Sequence, residues 1–245
     1  MTPLIAIIIL VIGLCVLFYF TKRQLVKSGI NISNNVLNIY FNVIGVLYAL
    51  VLAFILVTVW QNYKDTMTAV ENEAHQLMDL RVEAVNLPEQ YSNRVIAASI
   101  DYAQAVSRIE WQEMVNHSES ELANQKMDDL LELRTELGAI EASEVSKCIK
   151  NLREYRHARL LSSHAQLPNS LWGVLIAGSI ICLLLSFLIH VKDILWQAIL
   201  TALMTSVFSM VLFLIFSLSN PFEGAAKIPS DSFDEIELGK HMNYE

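Results

Sequence analysis

Four stretches of this chain, Leu4 to Phe20, Ile39 to Trp60, Leu171 to Ile189 and Ile194 to Leu218, contain no Asp, Glu, Lys or Arg. A helix rises about 1.5 Å per residue, so runs of roughly 17 to 25 apolar residues can cross a hydrocarbon core about 30 Å thick. The composition agrees: 54% hydrophobic and 17% charged residues over 245 positions is too apolar for a soluble globule of this size. No strand alternation, glycine-rich loop or internal repeat appears, so the chain reads as an all-α membrane protein with four transmembrane helices. The first stretch has no basic residue before it and no small-residue cleavage site after it, and is expected to be a retained span rather than a secretory signal.

The expected layout is spans 1 and 2 in residues 1–60, a helical extramembrane domain in 61–170, spans 3 and 4 in 171–219, and a polar tail in 220–245. Residues 61–170 hold 11 Lys and Arg against 18 Asp and Glu, which is nearly all of the chain's net charge of -8. Val70, Ala74, Leu77, Arg81 and Ala84 recur at three and four residues, so a mostly apolar stripe continues straight out of the second span. Pro88 ends that helix and opens the next, which carries Tyr91, Val95, Ala98, Tyr102 and Ala105 on one face. A polar break at Asn116 to Ser120 follows, with Ser118 and Glu121 spaced as a capping box for a helix ending near Gly138. A further helix runs from about Ser143 to Leu167, closes at Pro168, and is expected to stand beside the extension of the second span. Pro221, Gly224 and Pro229 predict an irregular tail.

Acidity argues against nucleic acid as a partner, because a polyphosphate needs clustered Lys and Arg. Cys15 and Cys182 lie in spans and Cys148 alone lies in the domain, so no disulfide forms within it. The side of the domain stays open. Lys22, Arg23 and Lys27 after the first span place that loop in the cytoplasm and the domain outside, whereas the flanks on the domain side also carry Lys64, Arg153, Arg156, Arg159, Lys227 and Lys240. Trp60, Tyr63, Trp172 and Trp196 near span ends fit an interfacial aromatic belt. Gly173, Ala177 and Gly178 in the third span, with Thr201, Thr205 and Ser209 in the fourth, put small side chains on helical faces, where they favour close packing within the bundle or between subunits.

No catalytic constellation, cofactor cradle or metal cluster is expected. Glu71, Glu73 and His75 come nearest to a metal set, but Glu73 leaves the face shared by the other two, and the segment reads as a solvated charged face. His157 and His164 lie among Arg153, Arg156 and Arg159, which discourages a cation. Spans without ionisable residues also lack the parts of a proton relay. The second span instead carries Asn38, Asn42, Val46, Leu50 and Phe54 at intervals of four, a stripe turning from polar to apolar toward the domain. Such a stripe can line a pore with an apolar constriction that gates by dewetting, or pack with its two Asn at an ordinary helix interface.

The run Ile44 to Phe54, followed by Trp60-Gln61-Asn62-Tyr63-Lys64-Asp65 and Val70-Glu71-Asn72-Glu73-Ala74, resembles an uncharacterised bacterial family called bestrophin-like. Leu87-Pro88, Glu110-Trp111, Leu167-Pro168 with Trp172, and Asn220-Pro221-Phe222-Glu223-Gly224 fit it too, so the resemblance covers nearly all of the chain after residue 35. It implies the bestrophin layout of two spans, a helical domain and two more spans, assembled as a homopentamer whose second spans ring a chloride or cation pore. Asn38, Asn42, Val46, Leu50 and Phe54 would line that pore. The protein's partners would be its own copies, membrane lipid and permeant small ions, in the bacterial inner (cytoplasmic) membrane. The acidic run that clasps calcium in animal bestrophins is missing; Ala225, Ala226 and Lys227 stand there, so calcium gating does not carry over. The other reading is a non-conducting membrane interaction or sensor protein whose helical domain binds a partner.

Overall fold

The computed structural model describes residues 33–237 apart from 117, 138–142, 165–166, 190, 192 and 225. The expected first span, Leu4 to Phe20, lies outside the described residues. Among the described residues there is no strand, and three helices are long and apolar enough to cross a membrane: Asn34–Ala84, Asn169–Leu188 and Leu195–Ser219. The chain divides into two compact units, residues 1–59 with 167–216, and residues 60–166 with 217–245.

Helix α1 spans Asn34–Ala84, 51 residues. At 1.5 Å per residue it is about 76 Å long, more than twice a bilayer's hydrocarbon thickness. The absence of proline between Asn34 and Ala84 lets it run on past Trp60, where the composition turns polar. α6 (Asn169–Leu188) and α7 (Ile194–Ser219) complete the described part of the first unit. Pro168 stands at the N-cap of α6, where its missing N–H costs nothing. Gln197 Nε2 donates to the carbonyls of Phe187 and Ile189 at 2.8 and 3.0 Å, satisfying acceptors that the end of α6 leaves without helical partners.

The expected small-residue faces divide. Thr201 and Thr205 are buried and Gly178 packs against Tyr48, whereas Gly173 and Ala177 are exposed. Packing inside the bundle therefore uses part of each stripe.

The second unit holds the polar half of α1, then α2 (Glu89–Ala105), a π-helical turn (Val106–Glu110), α3 (Trp111–Met114), α4 (Glu121–Glu136), α5 (Ser143–His164) and α8 (Asp231–Glu237). Its core includes Val70, Leu77, Leu80, Val95, Val106, Leu130, Ile149 and Leu152. α1 and α5 pair in antiparallel fashion, since Glu73 meets Arg159 and Gln76 meets Asn151.

Two sequence expectations need correction here. Ser120, not Ser118, stands at the N-cap of α4, without a side-chain cap bond, and the Ser118 hydroxyl donates instead to the Glu113 carbonyl at 2.9 Å. The chain after α7 is not simply irregular: Asp231–Glu237 is helical, and Phe222, Ile228 and Phe233 are buried in the domain core. The turn that starts this segment needs Gly224, whose φ of +81° suits a residue without Cβ. Ile228 N–H then donates to the Pro221 carbonyl at 2.8 Å and closes the loop.

Candidate functional site

The stripe read from sequence lies on the exposed face of α1. Asn38 and Asn42 are exposed, as are Val46 (65%), Leu50 (53%) and Phe54 (68%), while Leu37, Tyr48, Leu52 and Val59 are buried. At about 100° per residue, Leu50 is roughly 200° from Tyr48 and from Leu52, so the two sets occupy opposite sides of the helix. The packing of the first unit thus turns Tyr48 and Leu52 inward and leaves the stripe uncovered in a single copy of the chain.

The second unit contains a site that the sequence reading passed over. Arg159 is fully buried, its Nε donating to Glu73 Oε2 at 2.6 Å and its Nη2 to Glu73 Oε1 at 3.0 Å and to Glu110 Oε2 at 2.6 Å. Arg156 pairs with Glu110 Oε1 and donates to Asn124 Oδ1 at 2.8 Å. The Tyr102 hydroxyl donates to Glu73 Oε1 at 2.6 Å. Two carboxylates thus face two guanidiniums, a neutral set in which the stated donors and acceptors satisfy one another, as buried charge requires.

The pKa directions follow from these contacts. Burial alone would raise Glu110, but the charges of Arg159 and Arg156 outweigh it and hold the carboxyl below its usual range. Burial opposes the charge on Arg159, yet Glu73 and Glu110 outweigh that and push its pKa upward. Tyr102 goes up through burial first and Glu73 second, so it stays a neutral donor.

Aromatic rings close the set from the tail side. The Trp111 ring stands edge-on to Phe222 at 5.5 Å and tilted against Phe233 at 5.7 Å, with Arg159 lying 5.4 Å over Trp111 and 6.0 Å over Phe233. Trp111 Nε1 donates to the Ile228 carbonyl at 3.2 Å. Glu73, Glu110-Trp111 and Asn220 to Gly224 are far apart in sequence, yet side chains from all three pieces converge here or directly against it.

The π turn makes this convergence possible. Buried positions Val95, Ser99, Tyr102 and Val106 step by four, three and four, and an uninterrupted α-helix would next turn Ile109 and Glu113 inward. One extra residue in the turn shifts the phase, so Glu110 and Met114 face the core and Ile109 is exposed.

Other expected chemistry is redistributed. Glu71 and His75 are exposed, but Glu73 is not part of a solvated face: it neutralises Arg159. Arg156 and Arg159 do not crowd positive charge around a histidine pair, because Glu110 and Glu73 balance them, while His157 is exposed and the side chain of His164 lies outside the described residues. Among the described residues no group of three or more His, Cys, Asp or Glu could hold a metal ion. Burial also pushes the Cys148 thiol up to about 11, away from a reactive thiolate.

A family profile described as bestrophin-like domain matches residues 5–233. The fold is similar to crystal structures of a bacterial bestrophin homologue from Klebsiella pneumoniae. One, of a single-site variant, aligns with a TM-score of 0.77 at 12% identity, covering 96% of this chain and 97% of that chain. A second variant gives 0.73 at 12% identity with 96% and 97% covered, and a structure phased on zinc gives 0.69 at 15% identity with 96% of each chain covered. No curated protein matches the sequence. At such identities the structural likeness is one of fold.

Proposed function

Because the chain belongs to the bestrophin-like family, matched over residues 5–233, we propose that it is a homo-oligomeric ion channel of the bacterial inner membrane. In this reading four spans cross the bilayer, the first of them at Leu4 to Phe20. Copies of α1, five in the expected ring, surround an axis and present Asn38, Asn42, Val46, Leu50 and Phe54 to it. The observation that carries this reading is the uncovered stripe. Facing lipid, the amide of Asn42 inside the span would go without water and pay a desolvation cost, whereas facing a hydrated axis it keeps its hydrogen bonds. Val46 and Leu50 would then form apolar rings that gate by dewetting. The acidic surface of the domain would raise the local concentration of cations around it.

Flux through purified protein in liposomes tests the assignment. Leu50→Ser and Val46→Ser wet the constriction and are expected to raise ion flux; unchanged flux in both, with assembly intact, rejects the pore face. A ring in detergent supports the channel, and a monomer or dimer favours the interaction-protein reading. Labelling Ser118→Cys and Ser28→Cys with an impermeant thiol reagent, in a background without native cysteines, tests the span count. One span between them predicts labelling of only one site in intact cells, and that site also reveals the orientation.

A further inference from the structure

Lipid tails are as apolar as Leu or Val, so a span gains little by burying one aliphatic face rather than another, and its rotation has to be set by close packing and hydrogen bonds. In the first unit those features converge on Tyr48. Its ring lies where Gly178 of α6 has no side chain, and a Cβ built on Gly178 would collide with Tyr48 Cε2 and Cδ2. The Tyr48 hydroxyl donates to the Leu175 carbonyl at 2.6 Å and lies 2.5 Å from Ser179 Oγ. The same ring stands edge-on to Phe208 of α7 at 5.5 Å and 82°. One buried side chain of α1 therefore meets both α6 and α7, with a notch for its shape and an acceptor for its proton.

We propose that Tyr48 is the positioning residue that fixes the rotation of α1 about its own axis, and so decides which side chains its open face presents. The second half rests on the channel reading; the first does not. A rotation of about 100°, one residue, would bring Leu47 or Val51 toward the place of Leu50. Both are as apolar as Leu50, so hydropathy alone cannot hold the register.

The test is a nitroxide scan of the full-length protein in liposomes, with the three native cysteines replaced and single labels from Gly45 to Val57, omitting Tyr48. Collisions with oxygen and with a water-soluble nickel chelate are measured at each site. In the wild-type background accessibility is expected to oscillate with the helical period, low at Leu52 and high at Val46, Leu50 and Val57. Tyr48→Phe removes only the hydroxyl, and Gly178→Ala puts one methyl into the notch. In either background the oscillation is expected to shift by about one residue or to flatten. Leu52→Ala is the control: it loosens packing and lowers the melting temperature but leaves the phase alone. Unchanged phase and amplitude in both Tyr48→Phe and Gly178→Ala, in protein that elutes as wild type does, overturns the proposal. The channel reading fails separately, when the wild-type protein gives neither ion flux in liposomes nor a ring in detergent, and the phase still reports on Tyr48.

Discussion

In the unit of residues 1–59 and 167–216, exposed positions such as Val46, Leu50, Phe54, Leu184 and Met210 are apolar, while Tyr48, Ser179, Gln197, Thr201 and Thr205 are buried. In the unit of residues 60–166 and 217–245 the pattern is the familiar one: Leu77, Leu130 and Ile149 inside, Glu71, Asp101 and Arg153 outside. Water separates apolar from polar side chains and so marks the inside of a domain, whereas lipid gives no such signal and leaves shape and hydrogen bonding to choose the buried face. The units differ in charge as well. The apolar stretches 39–60, 171–189 and 194–218 contain no Asp, Glu, Lys or Arg, but the domain buries Glu73, Glu110, Arg156 and Arg159 together.

The sharpest way to break this contrast is to unbalance the domain cluster. Arg159→Met keeps much of the volume but leaves Glu73 without a guanidinium and Glu110 with Arg156 alone. Removing one partner of a buried ion pair costs about 3–5 kcal/mol. A large fall in the melting temperature of purified protein is expected, with part of the loss recovered when Glu73→Gln is added. A melting temperature within error of wild type would show that the cluster contributes no stability.

Acid should act on the same cluster. Glu110 is held below its unfolded value, about 4.3 for a glutamate, so its contribution is present above that pH and is lost as pH falls through the lower folded value. The melting temperature is therefore expected to drop on acidification below about pH 4. Glu110→Gln should start lower at neutral pH and fall less steeply in acid; parallel curves for the two proteins would remove Glu110 as the titrating group.

Legibility in the sequence followed the same divide. The three helices long and apolar enough to cross a membrane, the continuation of α1 beyond Trp60, and the boundaries at Pro88 and Pro168 were readable because uncharged runs and prolines act locally. The charged core was readable only in part. Thr66, Val70, Glu73, Leu77, Leu80 and Ala84 step by four and three, as do Val145, Ile149, Leu152, Arg156, Arg159 and Ser163, and these positions are buried. Glu73, Arg156 and Arg159 thus occupied core positions of two helical stripes, a sign that charges must pair across helices. Nothing local predicted the π turn that brings Glu110 to them, since its phase shift has value only once Arg156 and Arg159 stand opposite. Nor did composition foretell that Phe222, Ile228 and Phe233 would fold back under Trp111. For α1, spacing marked a candidate face whose positions are exposed, and the identity of the opposite, buried face emerged only with Tyr48 against Gly178.

A milder comparison sets two leucines of one span against each other. Leu52 is 8% exposed and Leu50 is 53% exposed. Leu52→Ala is expected to cost about 1–3 kcal/mol of stability and leave flux near wild type, while Leu50→Ala costs little stability in a single copy and raises flux. Equal effects of the two on both readouts would erase the distinction between packed and open faces.

The smallest effect is expected where a charge pair looks strongest on geometry alone. Arg94 Nη1 and Nη2 donate to the Glu136 carboxylate at 2.6 and 3.3 Å, and the two side chains keep 52% and 38% of their surface in water. The hydrogen bond from Arg94 lowers the pKa of Glu136 and Glu136 in turn raises that of Arg94, but both groups remain hydrated whether or not the bond forms. Solvent screens the attraction, and ordering two long side chains offsets what is left. Arg94→Ala should therefore leave the melting temperature unchanged, in low salt and in high salt alike, although it breaks a bidentate pair as short as those around Arg159. A fall comparable to that of Arg159→Met would mean that distance, rather than burial, sets the worth of a charge pair in this domain.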